Sequence, residues 1–154
     1  MIFTPFEPKV AFRYTLSIDG IPSHICKSSG MPNLDNGEII IDYINTDFKV
    51  KGKSRWQDIT VTLYDPVTES GAAACHDWIK QHHNSESGVD GFAFTAGYKK
   101  DITLEALSPQ GLPVETWTLY GAFIGSANWG DMDWSSEEAK TIELTLKYDY
   151  AVLS

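Results

Sequence analysis

Four absences narrow what this 154-residue chain can be. It has no apolar run near the roughly 20 residues a membrane-spanning helix needs, and no basic, apolar leader across Met1 to Phe12. The expectation is a soluble protein made in the cytoplasm. It has two cysteines, Cys26 and Cys75, which lie far apart and match no zinc or redox spacing. It is short of positive charge: 12 basic residues stand against 21 acidic ones, a formal net charge of −9. That disfavours sequence-independent nucleic-acid binding, because phosphate contacts need a basic surface. No G-x-S-x-G elbow, phosphate loop or dinucleotide fingerprint is present.

What is present reads as a packed β protein. Seven Tyr, seven Phe and five Trp in a chain that is 42% hydrophobic are too apolar for disorder. The length suits one domain, 1–154, which can bury roughly 70% of its unfolded surface without a staple. The clearest pattern is near the end. Ile142, Leu144, Leu146, Tyr148 and Tyr150 alternate with Thr141, Glu143, Thr145, Lys147 and Asp149, a period of two that marks a strand with one buried side. Upstream, Trp117, Leu119 and Phe123 alternate with Thr118, Tyr120, Ala122 and Ile124, so both faces are apolar and both should be covered. Between these strands Gly125, Asn128, Gly130, Asp131, Asp133, Ser135 and Ser136 supply turn chemistry.

Earlier segments follow the same logic. Met1 to Lys9 holds Pro5 and Pro8 and is expected to be an arm lying along the surface or a neighbour. Phe12, Tyr14, Leu16 and Ile18 form one side of a strand, and Asp19-Gly20 signals a two-residue hairpin turn, with Ile21 to Lys27 returning beside it. Glu38 to Ile44 is a strand apolar on both faces. Asn45 to Arg55 then carries four of the twelve basic residues, Lys49, Lys51, Lys53 and Arg55, around Val50 and Gly52. It reads either as a solvated loop or as an extended basic hairpin reaching an acidic patch on another copy.

Ile59, Val61 and Leu63 mark another one-sided strand, stopped by Asp65-Pro66. A helix opening at Thr68 or Glu69 has Ala72, Cys75, Ile79 and His82 in one stripe, widened by Trp78. Ser85 to Gly91 reads as loop and Phe92 to Tyr98 as a short aromatic strand. Ile102, Leu104 and Ala106 form the next strand, and Ser108-Pro109-Gln110-Gly111 suits a type I turn. The expected architecture is an antiparallel β-sandwich or barrel of seven or eight strands with one α-helix packed on its side.

Candidate chemistry is thin. His76 and His83, seven apart on one helix, stand roughly 10 Å from each other, too far for one metal. Asp131, Asp133 and Ser135 open like a calcium loop, but Ser136 and Ile142 stand where Gly and Glu are needed. The carboxylates of Asp131, Asp133, Glu137 and Glu138 suit a glycosidase by residue type, yet acidic turns are far commoner. No metal, cofactor or catalytic residue is assigned. Trp56 and Trp117 fit a core; Trp129 and Trp134 are either exposed, as in a monomeric carbohydrate-binding sandwich, or buried against a neighbouring subunit.

The runs W-x-L-x-G-A-F-I, G-D-M-D-W-S-S-E-E and T-I-E-L-T-L-x-Y-D-Y-A in the last third, with the opening F-R-Y-x-L-x-I-D-G-I, resemble the tail-tube proteins of contractile-tailed bacteriophages. These are relatives of type VI secretion tube proteins. The resemblance implies a non-enzymatic virion protein, made in the host cytoplasm, whose hexameric rings stack into a tube. It implies a sheath, a baseplate tube-initiator and a tail terminator as partners, and DNA passing through the lumen without specific binding. It places the segment 45–55 as an extended inter-subunit loop against the adjacent ring. Lys49, Val50, Lys51, Lys53, Arg55, Trp129, Asp131, Asp133 and Trp134 are the expected subunit contacts. Cys26 and Cys75 are expected either as reduced thiols or as a cross-link between subunits formed once the particle leaves the reducing cell. The tube of a type VI or other contractile injection system, carrying protein cargo, is the nearest alternative.

Overall fold

Alternation in the sequence becomes burial in the structure. In the computed structural model, which describes residues 3–68, 70–92 and 97–154, Ile142, Leu144 and Leu146 of strand β10 (Thr141–Lys147) are fully buried, while Glu143 and Lys147 face solvent. Strand β5 (Ile59–Tyr64) sends Ile59, Val61 and Leu63 into the same interior, with Val61 opposite Leu144. Two strands patterned this way have one stable solution, apolar sides facing a shared core.

Around that pair run β1 (Tyr14–Ile18), β2 (Cys26–Ser29), the long β3 (Leu34–Asp42) and β4 (Asp47–Trp56), and, after β5, helix α1 (Gly71–His82). The short β6 (His83–Asn84) and β7 (Val89–Asp90) pair within the segment expected to be loop. Then come β8 (Lys100–Leu107), β9 (Pro113–Asn128), β10 and β11 (Tyr150–Leu153). The main sheet has the order β1-β8-β9-β10-β5-β2, with β11 also on β9, and every ladder is antiparallel. This is the expected antiparallel β architecture with one helix, although the described residues hold eleven strands where seven or eight were expected. The expected strand at Phe92 to Tyr98 falls mostly on 93–96, outside the described residues.

Strand β9 is shared by both layers. Its first half pairs with β8 and β11, and its second half with β10. The sequence shows apolar residues on both sides of this strand, and the structure gives a different reason from double coverage. Leu119 is buried at an odd position, Ala122 and Ile124 at even ones, because a bulge at Gly121 exchanges the two faces. Gly121 has φ +68, and a Cβ there would lie 2.3 Å from Asp149 Oδ2. Asp149 accepts from Lys99 Nζ at 2.9 and 3.0 Å, its N–H donates to the Tyr120 carbonyl at 2.9 Å, and Gly121 N–H donates to Asp101 Oδ1 at 3.3 Å. β10 and β11 share one register along β9, Lys147 opposite Phe123 and Tyr150 opposite Tyr120. They bend together with it.

The first hairpin is corrected. Asp19-Gly20 does turn, with Ile21 N–H donating to the Ile18 carbonyl at 3.1 Å, but pairing ends after one bridge between Ile18 and Ile21. Pro22 cannot continue a ladder, and a 3₁₀ turn at Ser23–Ile25 carries the chain to β5, on which β2 pairs. The partner of β1 is β8. Phe12 lies ahead of β1 in a turn closed by Arg13 N–H on the Val10 carbonyl, and is exposed.

Helix α1 starts later than Thr68, and Glu69 lies outside the described residues. Ser70 caps it, its hydroxyl accepting from Ala73 N–H at 3.3 Å, while Asp65 Oδ1 accepts from Ala72 N–H at 3.3 Å. Gly71, Cys75 and Trp78 are buried, with Ala72 and Ile79 packed alongside. His82 leaves the stripe to stack on Tyr98 at 4.3 Å. Trp78 Nε1 donates to the Tyr98 carbonyl at 2.6 Å, which satisfies its one polar atom.

Three outcomes test this packing. Leu144→Ala should lower stability by about 2–5 kcal/mol in denaturant unfolding, since it removes a fully enclosed side chain. Gly121→Ala should cost about 1 kcal/mol or more, through positive φ and the Asp149 clash; an unchanged midpoint would contradict the bulge. In the native protein a thiol reagent should modify Cys26 well before Cys75, which is fully buried and whose thiol is pushed up to about 11 by that burial and by the Asp65 carboxylate. Equal rates would contradict the core assignment.

Candidate assembly surfaces

The residues 47–56, which include most of the expected loop, are strand β4, paired with β3 from Leu34–Trp56 to Asp42–Asp47. The tip is closed by Tyr43 N–H on the Thr46 carbonyl at 2.7 Å. At about 3.3 Å per residue the hairpin is roughly 30 Å long. Among the described residues it shares no ladder with the main sheet.

Glu38 to Ile44, expected as a strand apolar on both faces, is covered on neither face by the described residues. Every residue of β3 is exposed except half-buried Gly37. Register sorts the side chains. Ile39 lies opposite Val50 and Ile41 opposite Phe48, with the Tyr43 ring stacked on Phe48 at 5.6 Å, so one face is continuously apolar. Its exposures run from 37% at Ile41 to 60% at Tyr43. The other face pairs Ile40 with Lys49 and Glu38 with Lys51, and Lys49 Nζ lies 3.9 Å from Glu38 Oε2. The register shifts between Asn36 and Glu38, where Gly37 and Gly52 sit against each other; a Cβ on Gly52 would stand 2.7 Å from the Gly37 carbonyl carbon. This bulge holds Lys53 and moves Arg55 to the side of Val50, opposite Asp35.

The expected contact residues therefore divide. Lys49 and Lys51 belong to the charged face, Val50 to the apolar one, and Lys53 and Arg55 to the hairpin's base. Lys51, Lys53 and Arg55 form no ion pair among the described residues. The apolar face itself was not assigned from the sequence. Its signal is there in Ile39, Ile41, Phe48 and Val50 at alternate positions on either side of a turn.

The acidic turn starts later than expected, because β9 runs through Gly125 to Asn128. Trp129 is half-buried against the core, its ring 6.4 Å from that of His76, whereas Trp134 is wholly exposed. Asp131 and Asp133 are exposed. Asp133 Oδ1 accepts from Ser135 N–H at 3.0 Å and Ser135 Oγ at 2.9 Å, and these bonds, the backbone one first, hold its carboxyl below the usual range.

Cys75 is enclosed by core side chains, which removes it from any cross-link between intact subunits. Cys26 is half-buried at the start of β2, 4.0 Å from the Tyr14 hydroxyl, with its thiol pushed up by burial. Among the described residues no three His, Cys, Asp or Glu side chains gather as a metal site, and no helix is long and apolar enough to cross a membrane.

The fold as a whole has counterparts among solved structures. The cap of the anti-feeding prophage, described as its tube-terminating cap, superposes with a TM-score of 0.77 at 18% identity over 99% of this chain and 94% of that one. A chain from the sheath-tube complex of the PVC extracellular contractile injection system gives 0.69 at 24% identity, over 96% and 91%. Hcp1 from Flavobacterium johnsoniae gives 0.52 at 12% identity, over 92% and 94%. At these identities the likeness is one of fold. Among curated protein sequences none matches. The model of the family described as T4-like virus tail tube protein gp19 matches residues 10–152, and the chain belongs to that family of contractile-tail tube proteins.

Proposed function

We propose that this protein is the repeating subunit of the inner tube of a contractile tail, assembled as hexameric rings that stack into a conduit for DNA entering a host cell. The observation that carries the reading is the β3–β4 hairpin. An apolar strand pair with no cover in its own chain is an aggregation liability unless another copy buries it. Its two faces differ in chemistry, so it orients as well as sticks, and a contact of one patch with a different patch on the next copy generates rings or helical stacks. The net charge of −9 supports a conduit that repels phosphate.

The working partners are then a surrounding sheath, an initiating baseplate ring and a terminator. Function is geometric and needs no reacting group. Lys51, Lys53 and Arg55, which form no ion pair among the described residues, are poised for the exposed Asp131 and Asp133 of another copy, and wholly exposed Trp134 lies in the same acidic loop. A second reading rests on the fold neighbours, which are components of contractile injection systems: the same tube, or a ring at its end, in a particle carrying protein.

Sedimentation velocity and negative-stain electron microscopy over a range of concentrations should show rings or hollow tubes; monomers under all conditions would overturn the reading. Ile39→Thr with Val50→Thr keeps β-branched side chains in the strands while removing the apolar face. That variant should lose assembly while folding stability shifts by less than about 1 kcal/mol. Lys49→Glu with Lys51→Glu should weaken assembly and invert its salt dependence. Tubes formed as well as by the parent would remove the hairpin from the interface.

A further inference from the structure

The two edges of the main sheet, β1 and β2, face each other without pairing. They are joined by the Tyr14 hydroxyl, which donates to the Lys27 carbonyl at 2.9 Å. Beside this seam lies a groove of about 520 Å³ whose walls include Val10, Phe12, Met31, Leu104, Ala106 and Trp117. Its charged residues are Arg13 and Lys27 against Glu105, so it is net positive in a chain of net charge −9. Arg13 and Lys27 lie over the rings of Phe12 and Tyr64 and have no carboxylate partner among the described residues.

The N-terminal arm has the complementary properties. Phe3 and Phe6 are 72% and 83% exposed, and residues 3–8 make no hydrogen bond or ion pair among the described residues. Lys9 anchors the arm's base by pairing with Glu115, which also accepts from Trp117 Nε1 at 2.6 Å, at the edge of the groove. Pro5 and Pro8 fix their own φ and hold Thr4 and Glu7 extended. In the threefold polyproline geometry Phe3 and Phe6 fall on one side. At about 3.1 Å per residue, six residues reach roughly 18 Å from that anchor.

We propose that the groove between β1 and β2 receives the arm of a second copy, Phe3 and Phe6 entering the apolar walls and Glu7 meeting Arg13 and Lys27. The arm's own groove is a poor host for it. Val10 to Arg13 already form one wall, none of residues 3–8 lines the groove, and entry would require a reversal at Glu7 to Lys9, where the chain forms no turn. The arm and the groove are different patches, so the contact is head-to-tail and adds links to a ring or stack that the hairpin alone would not make. This inference rests on the assembly reading.

The test uses Cys26→Ser as background, with Phe6→Cys in one variant and Met31→Cys in another; both sites are exposed and outside the core. Mixed in equal amounts, assembled and oxidised, the two should give a dimer as the main band on a non-reducing gel, collapsed by reductant, while each variant alone stays monomeric. With both cysteines in one chain the product should be a ladder. A fast-migrating monomer from that double variant, showing self-occupancy, would overturn the proposal. Rings or tubes that form without cross-links would overturn the arm contact and leave the tube function standing. Protein that never assembles would overturn both.

Discussion

The structure depends on one strand serving two layers. β9 is sixteen residues long and pairs with β8 and β11 in its first half and β10 in its second. Its register shifts at Gly121 against β8 and at Gly125 against β10, and each extra residue exchanges the strand's inward and outward faces. Asp149 crosses the bend in β9's partner and is held by Lys99, so the two strands of the ribbon turn together. The enclosed core, from Val61 and Leu63 to Ile142, Leu144 and Leu146, with Cys75 and Trp78 from the helix, forms inside that curve.

Closing the core this way leaves two kinds of unfinished surface. Among the described residues the sheet ends at unpaired edges on β1 and β2, and the chain between β2 and β5 leaves the body as a long hairpin. A monomeric protein protects such features with charge, bulges or covering loops. Here the hairpin has a bulge at Gly52 and Lys53, opposite Gly37, and lysines on one face, but the opposite face keeps Ile39, Ile41, Phe48 and Val50 exposed. Specificity comes from the difference between the faces. In the proposed assembly the apolar surface would supply association, and the neighbouring lysines would exclude the wrong orientation by charge.

Much of the fold was legible from period. β5 and β10 follow their alternation, although the expected strand breaks at Tyr148-Asp149 and Tyr150, expected on the buried side, is exposed at the start of β11; the helix stripe at Cys75 and Trp78 is buried as spaced. Three misreadings share a cause, which is that local pattern does not name a partner. Asp19-Gly20 makes its turn, yet Pro22 and the 3₁₀ segment send the next strand to β5. The two apolar faces of Trp117 to Ile124 look like double coverage, because a bulge has the same signature as a strand buried on both sides. The Ile39 to Ile41 run reads as a strand apolar on both faces without showing that neither face is covered by the described residues. In the candidate surface the basic residues were visible as composition, whereas their sorting onto two faces needed the register and the bulge.

The central claim is that the hairpin's apolar face is an interface between copies. A cryo-electron microscopy reconstruction of the assembled protein, at a resolution that separates side chains, tests it directly. The account predicts Ile39, Ile41, Phe48 and Val50 packed against a neighbouring subunit, with Lys49 and Lys51 on the far side of the same strand pair. A reconstruction with those four side chains facing solvent or the lumen would contradict it.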